Sequence, residues 1–487
     1  IYFYNGDLQR ALAFSKRAVA LDGNNSWYLL QLARIYQQRG NIDSTIIVYE
    51  KIVKQKPYGY DAQLNLALLH LQNKDPKKAL KILNDVKRLY GNNEEIILAL
   101  FNAYSSSGEH SSCIRLLEEA ITQYPEDIRF LGLLAEYYVK LGDFARALPI
   151  YNQLLTLDPG NEKGLLSLIE YHRLAQNYNE LQEISQRYIA DSAYLYQNKI
   201  EVIANLIVDQ KLLKEHGPFI HQLIQTMDSL YKSDFRVQTL YSDFYLRTKN
   251  YPLAKEKLTY LVSNYKTTMP YWTQLIFVLG SLNENEQIVN YCDKAIATFG
   301  NNPFFYLYKG IALSQLKQRS IAIVVLQDGL KYTAKNSELL VQFYSYLAEL
   351  FNEVADYTHS DAFFRKAIDL SPQNVHLLNN YSYYLAERNQ QLDLASDYIK
   401  TCLKIEPSSY SYLDTYGWIL YKVGKLKAAL KVLESSLKAG GSKDKTILGH
   451  MAVVLYASGN KEEANKYYKL VTELGEPDNA LKQLFNK

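Results

Sequence analysis

Apolar side chains recur along this chain at steps of three and four residues, which is the pattern of amphipathic α-helices. The helical stretches come in pairs, and the pairs themselves repeat. Gly40, Gly108 and Gly142 lie 68 and 34 residues apart, and a proline follows each of them 17 residues later. Two residue types that share one period and one offset indicate an internal repeat of 34 residues.

We number the places of each unit so that this glycine is at place 15 and the proline at place 32. Units then begin near residues 26, 60, 94, 128, 162, 235, 269, 303, 341, 376, 410 and 445. Small residues recur at places 8, 20 and 27, where helix axes can approach closely, and aromatic residues recur at places 11 and 24. Glycine at place 15 suits a left-handed helix C-cap, and proline at place 32 ends the second helix. Each unit is therefore predicted to be a helical hairpin that stacks on the next one.

The clearest unit runs from residue 128 to residue 159 and contains Leu134, Ala135, Tyr138, Gly142, Ala147, Tyr151 and Pro159. This unit resembles the tetratricopeptide repeat (TPR), and the resemblance covers nearly the whole chain. It implies an all-α fold, a right-handed α-solenoid superhelix of about twelve to thirteen TPR-like helical hairpins. Within it, residues 378–424 are similar to TPR proteins of Gram-negative bacterial cell envelopes.

Breaks in the register of the 34-residue repeat predict that the chain is divided into three parts. Residues 1–195 are expected to form an N-terminal TPR block of a half unit and five units, and residues 235–487 a C-terminal TPR block. Residues 196–234 between them are expected to form a divergent bridging helical hairpin that turns at His216-Gly217-Pro218. Ala480, Leu481, Leu484 and Phe485 recur at helical steps, which predicts a terminal capping helix.

The composition argues against several classes of function and of site. The chain has 487 residues with 54 Lys and Arg against 51 Asp and Glu, so its net charge of +3 provides no basic surface for nucleic acid. The three cysteines are odd in number and far apart, which argues against a disulfide framework or a cysteine-rich metal site. No run of 18 apolar residues is present, so we expect no transmembrane segment.

No sequence motif indicates catalysis. The chain has no Gly-rich phosphate loop, no nucleophile elbow and no metal-binding histidine pair on one helix. His70 and His172 fall at place 11, where packing is the expected role. We therefore predict no enzymatic activity, no cofactor and no metal.

In TPR proteins the first helix of each hairpin lines the concave surface, through places 2, 5, 9, 12 and 13. Carried over to this chain, the resemblance implies that groove residues contact a protein or peptide partner. We predict these to be Trp27, Arg34, Asn102, Tyr384, Arg388, Trp418, Tyr421 and Lys422. Chaperone-binding TPR proteins hold a terminal carboxylate with a set of Asn and Lys or Arg residues, of which Asn102 alone matches here.

The aromatic residues Tyr384, Trp418 and Tyr421 allow two interpretations, a partner-binding surface and packing within the array. The leading function is a non-enzymatic scaffold that binds other polypeptides. The alternative is the regulatory or substrate-binding arm of an enzyme whose catalytic part lies outside this chain, and self-association is a third.

The cellular compartment is inferred from the resemblance to envelope proteins, since no residue in the sequence specifies it. A periplasmic or outer-membrane-anchored lipoprotein is favoured over a cytoplasmic protein. The sequence starts at Ile1, and Asn5-Gly6-Asp7 already falls in the middle of the repeat pattern, so we expect the chain to belong to a longer protein whose anchor would lie upstream.

Overall fold

The computed structural model describes residues 1–55, 59–333 and 337–485, so Pro57 of the repeat pattern lies outside the described residues. Within these ranges the chain forms 28 α-helices and one short 3-10 helix, and no β-strand. It divides into two compact units, Ile1–Lys232 and Ser233–Lys487. The prediction of an all-α helical repeat fold is confirmed. The three-part division by repeat register stays a prediction.

The first unit consists of one leading helix and six helical hairpins. Its helices are α1 (Leu8–Leu21), α2 (Ser26–Gln38), α3 (Ile42–Gln55), α4 (Tyr60–Gln72), α5 (Pro76–Tyr90), α6 (Glu94–Ser107), α7 (His110–Gln123), α8 (Ile128–Lys140), α9 (Phe144–Leu157), α10 (Glu162–Leu174), α11 (Tyr178–Ala190), α12 (Tyr196–Val208) and α13 (Gln210–Leu230).

The second unit consists of seven hairpins, the 3-10 helix Gly441–Lys443 and one terminal helix. Its α-helices are α14 (Phe235–Arg247), α15 (Tyr251–Asn264), α16 (Met269–Ser281), α17 (Asn285–Phe299), α18 (Pro303–Gln315), α19 (Arg319–Leu330), α20 (Ser337–Glu353), α21 (Tyr357–Leu370), α22 (Val375–Glu387), α23 (Leu392–Ile405), α24 (Tyr410–Lys422), α25 (Leu426–Lys438), α26 (Lys445–Ala457), α27 (Lys461–Glu473) and α28 (Asn479–Phe485).

Within each unit the hairpins stack in chain order. The two helices of a hairpin pack against each other, and the second helix packs against the first helix of the next hairpin, except that α11 packs mainly against α13. Some first helices also contact each other directly: α22 contacts α24, and α24 contacts α26. The first helices thereby form a common face, and the groove described below lies on it.

Polar side chains at the turns fix where the helices begin. Asn93 Oδ1 accepts the Ile96 N–H at 3.0 Å before α6, and Asp143 Oδ1 accepts the Arg146 N–H at 3.2 Å before α9. Such caps satisfy backbone donors that the helix itself leaves open. The same side-chain cap precedes most hairpin helices, which explains why Asn and Asp recur at the unit boundaries.

The turn inside each hairpin except the bridging one, α12–α13, uses a residue in the left-handed region, usually at place 15. This residue is Gly142 in the clearest unit, with φ 75°. Where glycine is absent the conformation persists, as at Lys74, Gln176 and Ala355 with φ 59°, 59° and 61°. The turn geometry is therefore set by the hairpin, and units that lack glycine accept the strain of a side chain in this region.

The predicted small residues lie where helices touch. Ala135 at place 8 and Ala147 at place 20 are fully buried. At Gly417, also place 8, an added Cβ would lie 2.7 Å from Leu433 Cγ, well inside normal contact distance. The aromatic residues beside them, such as Tyr138 and Tyr151, are buried too. Much of the tyrosine content is therefore packing between helices.

The bridging hairpin is α12 and α13, and its backbone leaves helical geometry at two points, at Asp209 and at the predicted position His216. At the first of these, Asp209 Oδ1 accepts the Leu212 N–H at 3.1 Å. Pro218 lies inside α13, where the preceding His216 has a non-helical φ of −129°. Apolar side chains are buried on both sides of this kink, so both helical segments pack into the core of the unit.

The last hairpin is covered by α28. Leu481 is buried against α26 and α27, in a cluster with Leu448 and Val471. Phe485 stacks on Tyr468 with ring centroids 4.6 Å apart. The segment predicted as a terminal cap thus packs its apolar side chains on the end of the second unit.

Two buried histidines in the first unit make its stability sensitive to acid. Burial lowers the pKa of His70 and of His172 below the ordinary value of 6.5. The Nδ1 atoms of both rings have no hydrogen-bond partner in the described part of the chain. The unfolded chain binds these protons more readily, so the folded state should lose stability as pH falls below about 6.5.

We expect a His70→Tyr, His172→Tyr double variant to lose less stability than the wild type between pH 7.5 and pH 5.5. Tyrosine is the residue that other units carry at place 11, such as Tyr138. Urea unfolding curves at the two pH values provide the measurement. Equal losses for both proteins would show that these histidines do not control the acid response.

Candidate functional site

A groove of about 630 Å³ opens on the first-helix face of the second unit. It is built by five helices, α22, α24, α26, α27 and α28, and by the turn before α28. Its lining residues are Tyr383, Glu387, Trp418, Tyr421, Lys422, Lys445, Thr446, Gly449, His450, Val453, Val471, Glu476, Asp478, Ala480, Leu481 and Leu484. We call this the C-terminal groove.

An aromatic stack forms one wall of the C-terminal groove. Trp418 lies between Tyr421, at a centroid distance of 4.9 Å, and His450, at 4.0 Å. Its Nε1 donates to Glu387 Oε1 at 2.6 Å, and Lys422 Nζ lies 4.8 Å from its ring centroid. Trp418 is 7% exposed, whereas Tyr421 and Lys422 are half-buried. The tryptophan is thus the base of the wall, and the other two side chains present its accessible edge.

The opposite wall is apolar and comes mainly from α28. Leu481 and Leu484 line it, together with Val453 of α26 and Val471 of α27. Charged groups flank the groove at its rim: Lys445 Nζ donates to the backbone oxygen of Glu476. An apolar wall that faces an aromatic wall inside a charged rim is the composition of a protein-binding surface.

His450 of the aromatic stack also belongs to a buried histidine–aspartate pair. His450 Nδ1 lies 2.9 Å from Asp414 Oδ1 and 3.0 Å from Oδ2, and both side chains are less than a tenth exposed. The pair joins α24 to α26. It fixes the plane of the imidazole on which Trp418 stacks, so it holds the wall of the groove in place.

A smaller cavity of about 250 Å³ adjoins the C-terminal groove, since Tyr383 and Thr446 line both. We call it the tyrosine–aspartate cavity. Its lining residues are Asn379, Asn380, Tyr383, Tyr384, Tyr410, Ser411, Asp414, Thr415, Asp444, Thr446 and Ile447. Burial raises the pKa of Tyr383 and raises that of Tyr384 to about 12, and neighbouring carboxylates add to both shifts, so both phenols are neutral.

The structure brings Trp418, Tyr421 and Lys422 together in the C-terminal groove and places Tyr384 in the adjoining cavity. The register of α22 explains which of its residues reach the groove. The helix begins at Val375, one residue before the start that the repeat spacing predicts. Tyr383 therefore occupies the place in its unit that Trp418 occupies in the next, and Glu387 corresponds to Lys422.

Arg388 lies at the end of this helix and is directed at the preceding hairpin. Its side chain is 6% exposed, and its Nη2 pairs with Asp361 Oδ1 at 2.7 Å. Its guanidinium also lies 4.8 Å from the ring centroid of Tyr357. The contacts of Arg388 are thus internal to the stack.

The three predicted residues of the first unit lie on two helices. Trp27 and Arg34 belong to α2, and Asn102 belongs to α6. All three are exposed, Trp27 to 63%. No hydrogen bond, ion pair or ring contact joins them to one another in the described part of the chain. Their role as partner contacts stays a prediction.

Sequence reasoning missed Tyr383, His450 and Lys445 as groove residues. Tyr383 was missed because the one-residue shift of α22 hides its place. The signal that could have found it is Ser382, a fully buried small residue that fits place 8 only if the unit starts at residue 375. His450 carries no such signal, because its contact with Asp414 joins two units.

Across residues 1–55, 59–333 and 337–485, no three His, Cys, Asp or Glu side chains cluster closely enough to hold a metal ion. None of the helices in these ranges combines the length and the apolar character that crossing a membrane requires. Cys113, Cys292 and Cys402 are unpaired and buried.

Comparison with known proteins identifies the repeat. The tetratricopeptide repeat family profile matches residues 30–94 and 98–162. Over 97% of its length the chain is 24% identical to a TPR repeat-containing protein of Methanocaldococcus jannaschii, 80% of which is covered. Over 27% of its length it is 34% identical to a TPR repeat-containing protein of Pseudomonas aeruginosa, 22% of which is covered.

A third relative comes from a eukaryote. Over 81% of its length the chain is 22% identical to the RNA polymerase-associated protein CTR9 of Saccharomyces cerevisiae, 41% of which is covered. The matched region thus spans less than half the length of the bacterial and the yeast relatives.

Proposed function

Because this chain is a tetratricopeptide-repeat protein, we propose that it is a non-catalytic scaffold that binds another polypeptide in the C-terminal groove. One observation carries this proposal: three consecutive hairpins and α28 converge on an open groove of about 630 Å³ with an aromatic wall and an apolar wall. Such a groove buries side chains of an extended segment or a helix on both sides.

The energetics of binding favour this site over the rest of the first-helix face. Aromatic side chains held in place by their own packing lose little entropy when a partner docks on them. Tyr421 is supported by Trp418, which is in turn fixed by His450 and Glu387. The yeast relative CTR9 is named for its association with RNA polymerase, which supports a role in protein assembly for chains of this repeat type.

A matched pair of charge reversals tests the proposal. Lys422 lies over the Trp418 ring in the groove, whereas Lys427 is exposed on the second helix of the same hairpin. We expect Lys422→Glu to reduce capture of the native partner by about tenfold, and Lys427→Glu to leave it unchanged. The measurement is affinity purification from the native host with quantitative mass spectrometry. Equal capture by the two variants at equal melting temperature would reject the groove as the binding site.

For the compartment, we propose the cell envelope of a Gram-negative bacterium, where this protein would assist envelope assembly. The support is the similarity of residues 378–424 to such proteins, together with a relative from Pseudomonas aeruginosa that is 34% identical over 133 residues. Protease treatment of intact cells and of spheroplasts of the native host tests this. Degradation in spheroplasts alone fits the proposal, and protection in both places the protein in the cytoplasm.

A further inference from the structure

The tyrosine–aspartate cavity, beside the C-terminal groove, is lined by two carboxylates, three tyrosines and several neutral polar side chains, with no cationic side chain among its described lining residues. We infer that it receives the guanidinium group of an arginine side chain from the bound polypeptide. This inference rests on the proposed function and names the chemistry that the partner presents. A polypeptide in the C-terminal groove can reach the cavity, because Tyr383 and Thr446 line both.

Two carboxylates give the cavity its charge. Asp414 pairs with the His450 ring and is also among the residues that line the cavity. Asp444 caps α26 through Oδ1, which accepts the Thr446 N–H at 2.9 Å and the Ile447 N–H at 3.3 Å. No Lys or Arg side chain is among the described residues that line the cavity. Anionic ligands are therefore repelled, and a cation gains from both carboxylates.

A buried amide oxygen is an independent sign of a missing donor. Asn379 lines the cavity and is 8% exposed, and its Oδ1 has no hydrogen-bond partner among the described residues. Its Nδ2 donates to Asn380 Oδ1 at 3.4 Å. A buried acceptor without a donor costs about 1 to 3 kcal/mol, which a ligand N–H at this position would offset.

The shape of the lining favours arginine over lysine. The rings of Tyr383, Tyr384 and Tyr410 line the cavity alongside the carboxylates. A planar guanidinium stacks on such faces and directs five N–H donors in its plane, whereas an ammonium is more strongly hydrated and directs three. A site with several acceptors spread around aromatic faces matches the first group.

The probe is a short glycine–serine peptide with blocked ends, a fluorescent label and one central arginine. Matched peptides carry citrulline, which has the same shape without the charge, or lysine. Fluorescence anisotropy with the full chain should give at least about tenfold tighter binding of the arginine peptide than of the citrulline peptide. The lysine peptide should bind with intermediate affinity. Equal binding of arginine and citrulline peptides, or no saturable binding of the arginine peptide up to about 10 mM, would overturn the inference.

The variants are Asp414→Asn and Asp444→Asn, separately and together. Asparagine keeps the acceptor for His450 in the first and the helix cap in the second, so both should retain the melting temperature. We expect the double variant to lose at least about tenfold in affinity for the arginine peptide and to bind the citrulline peptide unchanged. Unchanged arginine binding would also overturn the inference.

The outcome is distinguishable from failure of the proposed function. If native-partner capture depends on Lys422 but the peptides show no preference for arginine, only this inference fails. If capture is independent of Lys422, the groove proposal fails first.

Discussion

Replacing Gly329 by alanine is expected to lower the free energy of unfolding by about 3 kcal/mol, because the added methyl group has no room. Gly329 lies near the end of α19, where that helix crosses its neighbours. A Cβ built there would lie 2.8 and 2.9 Å from two ring atoms of Phe343, and closer still to Tyr306 Cβ. Phe343 is fully buried and Tyr306 Cβ is tied to the backbone, so neither can move aside without disturbing the hairpin stack.

Gly280 provides a matched control. It is also the next-to-last residue of its helix, α16, but it is exposed and an added Cβ meets nothing within 4 Å. Gly280→Ala should therefore stabilise the protein slightly, by up to about 1 kcal/mol, through helix propensity alone. Urea unfolding followed by circular dichroism compares the two variants. A change of the same sign in both would contradict the view that close helix contact, and not backbone freedom, requires Gly329.

The same steric argument explains how much of the fold the sequence predicts. Small residues at places 8, 20 and 27 must recur because helices approach too closely for larger ones, and the period of 34 residues follows from repeated contact. Most predicted unit starts therefore coincide with observed helix starts, as at Tyr60, Ile128 and Tyr410. The hairpin geometry is therefore recognisable in the sequence pattern of each unit.

The sequence predicts the structure less well where contacts between units, and not the pattern within one unit, determine the fold. The Gly-Pro pair predicts a single turn in the bridging hairpin, but the backbone leaves helical geometry at two points, at His216 and at Asp209. The turn at Asp209 is fixed by an ion pair with Arg173, which lies 36 residues away and leaves no local pattern. Contacts between units are thus what repeat spacing alone does not reveal.

In the candidate site too, residues on one helix could be predicted from the sequence, whereas residues that come from other helices could not. Trp418, Tyr421 and Lys422 share one helix face and could be grouped from their spacing. The contributions of His450 and α28 come from later hairpins, and the place of Tyr383 depends on a one-residue shift. The sequence therefore predicts the residues of the aromatic wall, but not the other residues that complete the groove.

Replacing Trp418 by alanine is expected to lower the free energy of unfolding by about 3 to 5 kcal/mol. The indole is 7% exposed, stacks between Tyr421 and His450, and donates to Glu387. Its removal leaves a cavity above the His450–Asp414 pair, which the shortened side chain cannot cover. Trp27→Ala is the matched control, since that indole is 63% exposed and should cost less than about 1 kcal/mol.

The stability loss alone does not separate packing from binding, so Tyr421 decides between them. Tyr421 is half-buried at the edge of the stack, and Tyr421→Ala should cost about 1 kcal/mol of stability. If the C-terminal groove grips a partner, this variant should lose at least about tenfold in affinity for it while remaining folded. Affinity for the captured partner and melting temperature are measured on the same samples. A lowered melting temperature with unchanged affinity, in both Trp418→Ala and Tyr421→Ala, would reduce the aromatic stack to a packing element, since a groove that loses its wall cannot keep its partner.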